Sequence, residues 1–419
     1  MTILDWDQDP RVRLGPLGAE PPLDETESNI VDTVHKFAER IMRPTGIELD
    51  RMSPEEVIAA GSPFWNFREQ FLELGINPEF FAGLTPRQHG RIMPMIIEEL
   101  GWGDAGLTIT IGACTLPPLM AAMFNKTNLL ERYPPYLRGC WAITEPDHGS
   151  DSLDPNKQLF HPRGSYGRPN CIATIKGDQV VINGQKSAWV SNAPIAEVCI
   201  LFCAADSGSG PDPERGVCVL IPMDAPGVTR GKSIDKLGQR TLPQGEIFFD
   251  DVTLGIDHIV AGPDDYRRAV YAIHADANGQ MGALFTGVAR AAYELAYAYA
   301  HERKQGGISI FQHQSVAQRL FHMFRKVEAS RALTRRVAMY NALNEIPALH
   351  ACMAVKVTAT QTAFEVASEA LQIFCGNGNT REYPIEKLFR DARASLIEDG
   401  CNEILSIKGG YYLMDRDLL

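Results

Sequence analysis

The sequence lacks several features that would have indicated a class of protein at once. Its nine cysteines are odd in number, scattered, and form no CxxC pair, which argues against a disulfide framework and a zinc site. Its formal net charge of -12 argues against a nucleic-acid partner, which would need a basic face. The N-terminus lacks the basic start and apolar core of a signal peptide, and we expect no apolar run as long as a membrane span. These absences predict a cytoplasmic protein with free thiols and no membrane association.

The composition is that of an ordinary globular protein. Apolar residues make up 45% of the 419 residues and charged residues 22%, and we find no internal repeat or low-complexity segment. A chain of this length can bury a large core in two or three domains.

The first third of the chain has helical periodicity after a peripheral arm at 1–22. Asp24 with Glu27 forms a plausible capping box, and an apolar helical face follows until Pro44. Further helices are predicted over 64–74, 90–100 and 107–124.

The middle third alternates between apolar and polar residues, which is typical of strands. Turn signals lie at 176–178 and at Asn183-Gly184. The predicted strands cover 171–175, 179–182, 186–191, 198–204, 216–221 and 246–249. They form a small β domain.

The last third returns to long Ala-rich helices, predicted over 282–304, 314–344 and 348–374. Short links between long helices favour an antiparallel bundle. The third helix is broken at Cys375-Gly376-Asn377-Gly378, where backbone could approach a ligand closely. A fourth helix is predicted over 385–394, and an acidic pair, Glu398-Asp399, then leads into Gly400. Such a carboxylate could be held partly out of water, with a raised pKa, beside a substrate.

The run QIFCGNGNTREYPIEKLFRDAR…EDGCNEI resembles the C-terminal signature of the acyl-CoA dehydrogenase family of FAD enzymes. In that family the residue before the glycine is commonly a glutamate, which removes the α-proton of the substrate. The position falls here on Asp399, because Glu398 is one residue too early. The resemblance implies an α+β fold with an N-terminal α-helical domain (1–137), a middle β domain (138–253) and a C-terminal antiparallel four-helix bundle (254–419).

Three further segments resemble family motifs: CWAITEPDHGSD at 140–151, WVSN at 189–192, and HERK at 301–304 with HQ at 313–314. Together with the C-terminal run, they imply which residues contact ligands. The implied FAD contacts are Trp141, Ile143, Thr144, Ser150, Trp189, Val190, Ser191, Arg303, His313, Gln314, Gln372, Gly376, Cys401 and Glu403. The implied substrate contacts are Ser150, Asn278 and Gly400.

The sequence departs from the family pattern at several positions. Asn278 stands where many relatives have an arginine that holds CoA, and Ala277 stands where some relatives have their base. Cys375 replaces a glycine of the flavin loop, and His148 replaces a small residue. The link 152–170 is longer than usual; its Lys157, Arg163 and Arg168 are either CoA phosphate contacts or, as we favour, solvated charges.

The resemblance implies dehydrogenation of an acyl-CoA, an electron acceptor such as an electron-transfer flavoprotein, and a homotetramer. Two alternatives stay open. A nitroalkane-oxidase-like enzyme acting without CoA would also use an aspartate and would not need the arginine. A non-catalytic flavoprotein would use Asp399 only as a helix-start carboxylate.

Overall fold

The computed structural model describes residues 18–154 and 167–414. Its first part is helical, as predicted. The helices are α1 (Glu25–Phe37), α2 (Arg43–Leu49), α3 (Pro54–Ile58), α4 (Pro63–Glu73), α5 (Pro78–Ala82), α6 (Pro86–Gly103), α7 (Ala105–Met123) and α8 (Thr127–Arg132).

The predicted start of α1 is confirmed and its predicted end is wrong. The Asp24 side chain accepts a hydrogen bond from the Glu27 N–H, and the Glu27 carboxylate accepts one from the Asp24 N–H. The chain does not leave the helical conformation before Pro44, because one wide turn, Ala38–Met42, joins α1 to α2. This wide turn lies directly before α2, whose second residue is Pro44.

Helix α7 corrects the expectation that no apolar run in the chain is as long as a membrane span. By length and composition alone it could cross a membrane, but half of its apolar window is buried inside the protein. Its N-cap is Asp104, which also ends α6 and accepts a hydrogen bond from the Leu107 N–H. Core helices of globular proteins pass the same test, so this helix carries no membrane argument.

The middle part forms one sheet of eight strands with the order β6-β7-β3-β2-β4-β5-β8, and β1 pairs with β4 beside this path. Two parallel pairs, β1 with β4 and β2 with β4, occur among antiparallel neighbours. The strands are β1 (Gly139–Ala142), β2 (Cys171–Lys176), β3 (Gln179–Ser191), β4 (Val198–Asp206), β5 (Pro211–Pro222), β6 (Val228–Arg230), β7 (Gln244–Gly255) and β8 (Ile259–Ala261).

Two strand predictions need correction. The segments 179–182 and 186–191 form the single strand β3, because Asn183-Gly184 is a bulge and not a turn. A Cβ at Gly184 would lie 2.0 Å from the Asn170 carbonyl oxygen, so only glycine fits the bulge.

Strand β8 lies after residue 253 and pairs with β5. The domain boundaries at 137/138 and 253/254 stay predictions.

The last part contains five helices within the described residues. They are α9 (Tyr266–Glu302), α10 (Gln314–Leu343), α11 (Leu349–Phe374), α12 (Ile385–Ser395) and α13 (Asn402–Met414), and a hairpin of β9 (Lys304–Gln305) and β10 (Ile308–Ser309) follows α9. Helix α9 begins at Tyr266, sixteen residues before the predicted start, and α13 was not predicted. Both carry buried polar or glycine residues that interrupt the apolar period.

Helix α9 joins the two halves of the molecule. Its first half packs Val270 and Ile273 against β4 and β5, and its second half enters the core of the bundle with α6, α10, α11 and α12. A cavity of about 3150 Å³ lies between α7, the sheet, the first half of α9 and the loop before α13. This cavity brings the separate motifs of the sequence together.

Candidate active site

The loop between α12 and α13 holds Asp399 in an uncommon backbone conformation. Asp399 has φ of +51° and Gly400 has φ of +88°, both in the left-handed region that a non-glycine residue seldom adopts. Two buried side chains fix the carbonyls: Asn278 Nδ2 donates to the Asp399 oxygen at 3.1 Å, and Lys356 Nζ donates to the Gly400 oxygen at 2.8 Å. The surrounding structure therefore maintains this strained loop.

The end of the Leu153 side chain lies close to position 400. A Cβ there would lie 2.5 Å from Leu153 Cδ1. Leu153 follows Ser150, whose Oγ accepts a hydrogen bond from the Cys401 N–H at 3.1 Å. The 140–151 motif and the C-terminal motif, 250 residues apart in sequence, are thus in direct contact.

Burial sets the pKa of the acidic pair. It raises the pKa of Asp399 above the ordinary value, while the charge of Lys356 acts to lower it. Burial and the charge of Asp399 raise the pKa of Glu398 to about 7. Glu398 and Asp399 both line the cavity. With a pKa of about 7, Glu398 retains part of its proton at neutral pH, and the raised pKa of Asp399 makes its carboxylate a stronger base.

A chain of buried hydrogen bonds supports this pair from behind. Lys387 Nζ on α12 lies 2.6 Å from the Asp104 Oδ2 and 2.6 Å from the Asp391 Oδ2. Asp391 Oδ1 accepts the Gln239 N–H at 2.5 Å, and Gln239 Nε2 donates to Glu398 Oε1 at 2.5 Å. The alternating charges of the EKLFRDAR run therefore fix α12 and the acidic loop against α7.

The 140–154 segment forms the second wall. Buried Lys186 of β3 lies 2.6 Å from Glu145 Oε1 and donates to the Ile143 oxygen at 2.9 Å. His148 binds Asp151 Oδ2 through Nδ1 at 2.9 Å and approaches the Arg168 carbonyl through Nε2 at 3.1 Å. These contacts give His148 a role in shaping the loop. Lys157 and Arg163 lie outside the described residues, and Arg168 is exposed.

The third wall is an irregular stretch of β3. Pairing with β7 shifts register between Lys186 and Val190, so Trp189 projects from the sheet and is 59% exposed. Gln244 Nε2 donates to the Trp189 oxygen at 3.1 Å and to Ser191 Oγ at 3.2 Å. Val190 is buried in the sheet core, so only its backbone could reach a ligand.

The side chains along these walls are suited to bind a flavin. Trp141, Ile143, Thr144, Trp189 and Ser191 all line the cavity. Trp141 Nε1 and the nearby Ser187 Oγ are buried without a hydrogen-bond partner among the described residues, as expected of groups that complete their bonding with a ligand. Among the described residues no group of three or more His, Cys, Asp or Glu could hold a metal.

A second group of predicted FAD contacts lies at the far end of the bundle. Helix α9 packs His274 against Trp141, with ring centroids 5.2 Å apart, and ends just before Arg303. At about 1.5 Å of rise per residue, Arg303 is about 40 Å from His274. The other members of this group lie at the same end. His313 and Gln314 come after the hairpin, Gln372 is in the last turn of α11, and Gly376 follows that helix. The structure thus separates the predicted contacts into two groups within one chain.

The remaining predicted residues lie around the acidic loop. Asn278 is buried behind it and does not line the cavity, while Gly400 does. Cys401 meets Ser150 through its backbone, and Glu403 is exposed on the first turn of α13. Sequence reasoning missed Lys356 and Gln239. A signal for Lys356 was present, because it is a single lysine on the apolar face formed by Cys352, Ala359 and Ala363.

Comparison with known proteins identifies the chain. Residues 140–252 match the family model of the acyl-CoA dehydrogenase middle domain, and residues 278–408 match that of the acyl-CoA dehydrogenase C-terminal domain. Benzylmalonyl-CoA dehydrogenase of Aromatoleum aromaticum is 30% identical over 92% of this chain and 97% of its own length. The short-chain specific acyl-CoA dehydrogenase of human mitochondria is 31% identical over 91% of this chain and 88% of its own length.

Solved structures show the same fold. Butyryl-CoA dehydrogenase of Megasphaera elsdenii superimposes with a TM-score of 0.81 at 24% identity, covering 94% of this chain and all of that one. A glutaryl-coenzyme A dehydrogenase in complex with glutaryl-CoA gives 0.80 at 24% identity, covering 94% and 96%. The solved structures show a fold of helical, β and helical parts, and the family models and relatives show an oxidoreductase. The chain belongs to the acyl-CoA dehydrogenase family.

Proposed function

We propose that this enzyme dehydrogenates an acyl-CoA thioester between its α and β carbons, giving the 2,3-enoyl-CoA, with Asp399 as the base. The observation that carries the proposal is the position of Asp399. Asp399 lines the cavity, its loop is fixed through two carbonyls, and burial raises its pKa. A carboxylate in that state is a stronger base than one in water.

The loop also offers a donor for the thioester. Among the described residues no acceptor is recorded for the Asp399 N–H, whereas the Cys401 N–H is bound to Ser150. The Asp399 N–H can therefore donate to the thioester carbonyl as negative charge develops there when the α-proton leaves. Base and donor would then belong to one residue, whose geometry Lys356 and Asn278 fix.

Aspartate in place of glutamate shortens the base by one methylene. The substrate must therefore lie closer to the loop than a glutamate would require. The loop carries this base on a left-handed backbone, with φ of +51° at Asp399 and +88° at Gly400.

The cavity walls would hold FAD, which when bound supplies the acceptor of the β-hydride at its N5 atom. Thr144 and Ser191 offer hydroxyls, and Trp189 would cover the ring and exclude water. Arg303 would pair with the pyrophosphate, as a guanidinium suits phosphate oxygens. Trp141 and Ile143 would complete the contacts at the cavity walls, and Gln372 and Gly376 those beside Arg303.

One chain cannot supply both groups of contacts to one FAD, because about 40 Å of helix separates them. We propose that Arg303, His313, Gln314 and Gln372 serve the site of a second copy, within a homotetramer. Electrons would then leave the reduced flavin to an acceptor such as an electron-transfer flavoprotein.

An anaerobic titration tests the proposal. The purified flavoprotein is mixed with a panel of acyl-CoA thioesters that includes butyryl-CoA and an aryl-substituted acyl-CoA, and flavin absorbance is followed at about 450 nm. Stoichiometric bleaching by at least one thioester supports dehydrogenation and gives the substrate class. A flavin that no thioester bleaches would contradict it.

One observation favours a second candidate. Asn278 offers no guanidinium for CoA and does not line the cavity, and aspartate is the base expected of a nitroalkane-oxidase-like enzyme. Oxygen uptake with nitroethane, without bleaching by any acyl-CoA, would favour that candidate. A flavin that responds to neither substrate would indicate a non-catalytic flavoprotein.

A further inference from the structure

A second carboxylate, Asp276, lies in the same cavity and takes no part in the proposed chemistry. It is on α9, two residues before Asn278, and it lines the cavity with Gln280. Residues two apart on a helix point in different directions. Asn278 contacts the base loop, so Asp276 faces a different part of the cavity wall, away from the reacting carbons.

The surroundings of Asp276 can be placed through its neighbours. Gln280, one turn along the same face of α9, lies near α7, where a Cβ at Gly112 would be 3.4 Å from Gln280 Oε1. Burial and, to a smaller extent, the charge of Asp276 raise the pKa of the Cys352 thiol on α11 to about 11. Asn341 of α10 donates to Cys352 Sγ at 3.1 Å. Asp276 therefore faces a compartment between α7, α9, α10 and α11.

Apolar side chains form most of this compartment. Ile111, Ala338, Leu349 and Val355 line the cavity on these helices. In such surroundings a carboxylate loses hydration, which costs free energy unless other groups satisfy it. Burial accordingly raises the pKa of Asp276 to about 6.

The protein satisfies Asp276 only in part. Gln280 Nε2 donates to Asp276 Oδ2 at 2.5 Å, and within the described ranges no other hydrogen bond or ion pair to this carboxylate is recorded. An ionised carboxylate can accept about four hydrogen bonds. Buried polar groups are normally satisfied, so a partly buried carboxylate that lines a cavity and keeps one recorded partner suits a ligand that donates to it.

We propose that Asp276, oriented by Gln280, determines specificity by binding a hydroxyl or amine group carried on the acyl chain away from the α and β carbons. This inference rests on the proposed function. A donor on the substrate would occupy the open acceptor positions of Asp276, whereas a purely alkyl chain would leave them unmet. A terminal carboxylate would be repelled.

The test uses holoenzyme and a matched set of thioesters: hexanoyl-CoA and its 4-, 5- and 6-hydroxy derivatives. We expect at least one hydroxylated substrate to exceed hexanoyl-CoA in kcat/KM by about tenfold, because the site rejects the analogue that lacks the hydrogen-bonding group. Asp276→Leu should reduce that ratio to about one or below and raise kcat/KM for hexanoyl-CoA. Asp276→Asn keeps the shape and should reduce the ratio without loss of folded protein.

Asp32, an exposed carboxylate on α1, supplies the control. Asp32→Asn should leave the ratio unchanged. If wild type and both Asp276 variants give the same ratio within about twofold, the inference is wrong although dehydrogenation stands. An equal loss on all four substrates would indicate a structural role and would also contradict it. If no member of the set reduces the flavin while a thioester of the first panel does, the inference is wrong and the proposed function stands; if no thioester of either set reduces it, the proposed function fails as well.

Discussion

The backbone of Asp399 stores strain where the chemistry is proposed. A non-glycine residue with φ of +51° lies next to Gly400 with φ of +88°, and the two carbonyls are bound by Asn278 and Lys356. Such strain persists only where neighbouring groups fix it. The side chains that fix it are therefore positioning residues for the base.

Lys356 allows this role to be tested through pH dependence. Its charge lowers the pKa of Asp399, so Lys356→Met should raise that pKa. The acidic limb of kcat/KM should then move to higher pH, and kcat/KM at neutral pH should fall by about tenfold because the Gly400 carbonyl loses its donor. The pH profile is measured from pH 5 to pH 9.

Lys126→Met provides the control for that variant, because Lys126 lies at the start of α8, away from the loop. It should retain the wild-type profile. A Lys356→Met enzyme with reduced activity but an unshifted acidic limb would show that Lys356 acts only in folding.

The raised pKa of Glu398 predicts that this carboxyl group affects the stability of the fold in a pH-dependent way. Its pKa of about 7 in the folded protein exceeds the ordinary 4.5, so the folded state binds more protons than the unfolded state between these values. Stability from this group is present at low pH and is lost as pH rises toward 7. Glu398→Gln, which keeps the bond with Gln239, should therefore be more stable relative to wild type at pH 8 than at pH 5.

Thermal unfolding of both proteins at the two pH values measures this effect, which we expect to be of the order of 1 kcal/mol. An equal difference in Tm at pH 5 and pH 8 would contradict it.

At the scale of the element, α12 is fixed by a buried lysine between two carboxylates. Lys387 lies 2.6 Å from both Asp104 and Asp391. Lys387 is the only cation recorded beside this pair in the part of the chain that the structure describes, and its removal leaves buried charges uncompensated, at a cost of about 3–5 kcal/mol. Lys387→Met should therefore lower Tm strongly and loosen the loop that follows α12.

An exposed pair gives the matched comparison. Arg319 and Glu369 join α10 to α11 with both side chains 44% exposed. Arg319→Ala should change stability by less than about 1 kcal/mol, since water screens such pairs. Similar effects of the two substitutions would show that the Lys387 network contributes little.

The elements also show what the sequence could predict. Helices α4, α6, α10 and α11 were predicted from their apolar period, and their predicted spans are close to the structure. The first half of α9 was missed because His274 and Asn278 are buried polar residues that interrupt the period. Strand β3 was divided in two because Asn183-Gly184 normally signals a hairpin turn, whereas tertiary pairing with β7 makes it a bulge.

The site could be predicted only where a motif carries it. Asp399, Ser150 and Trp189 stand in recognisable segments, and the structure brings all three to one cavity. Lys356 and Gln239 act through the backbone of Gly400 and the carboxyl group of Glu398. Such contacts depend on how distant helices and loops meet, which no local pattern records.

At the scale of the whole molecule, the separation of the two predicted FAD-contact groups predicts complementation between chains. Asp399→Asn should lack a base but retain Arg303, and Arg303→Glu should lack the pyrophosphate contact but retain the base. Each homo-oligomer should be inactive, while co-expressed hetero-oligomers should recover part of the activity, because some sites combine an intact Asp399 with the intact Arg303 of another copy.

The same co-expression with Asp399→Asn and Asp399→Ala is the control, because both changes remove the base and no combination of the two chains repairs the site. Activity from that control pair equal to the first pair would argue against a shared site. Absence of recovery in the first pair, with FAD bound by both variants, would place the whole site within one chain.

The most direct test of the central claim compares the two neighbouring acids by rapid anaerobic mixing with the best thioester of the panel. Flavin reduction is followed in wild type, Asp399→Asn and Glu398→Gln, each loaded with FAD. We expect Asp399→Asn to slow reduction by at least about a thousandfold with FAD still bound, and Glu398→Gln to slow it by less than about tenfold. Rapid reduction by Asp399→Asn, or a collapse confined to Glu398→Gln, would show that Asp399 is not the base.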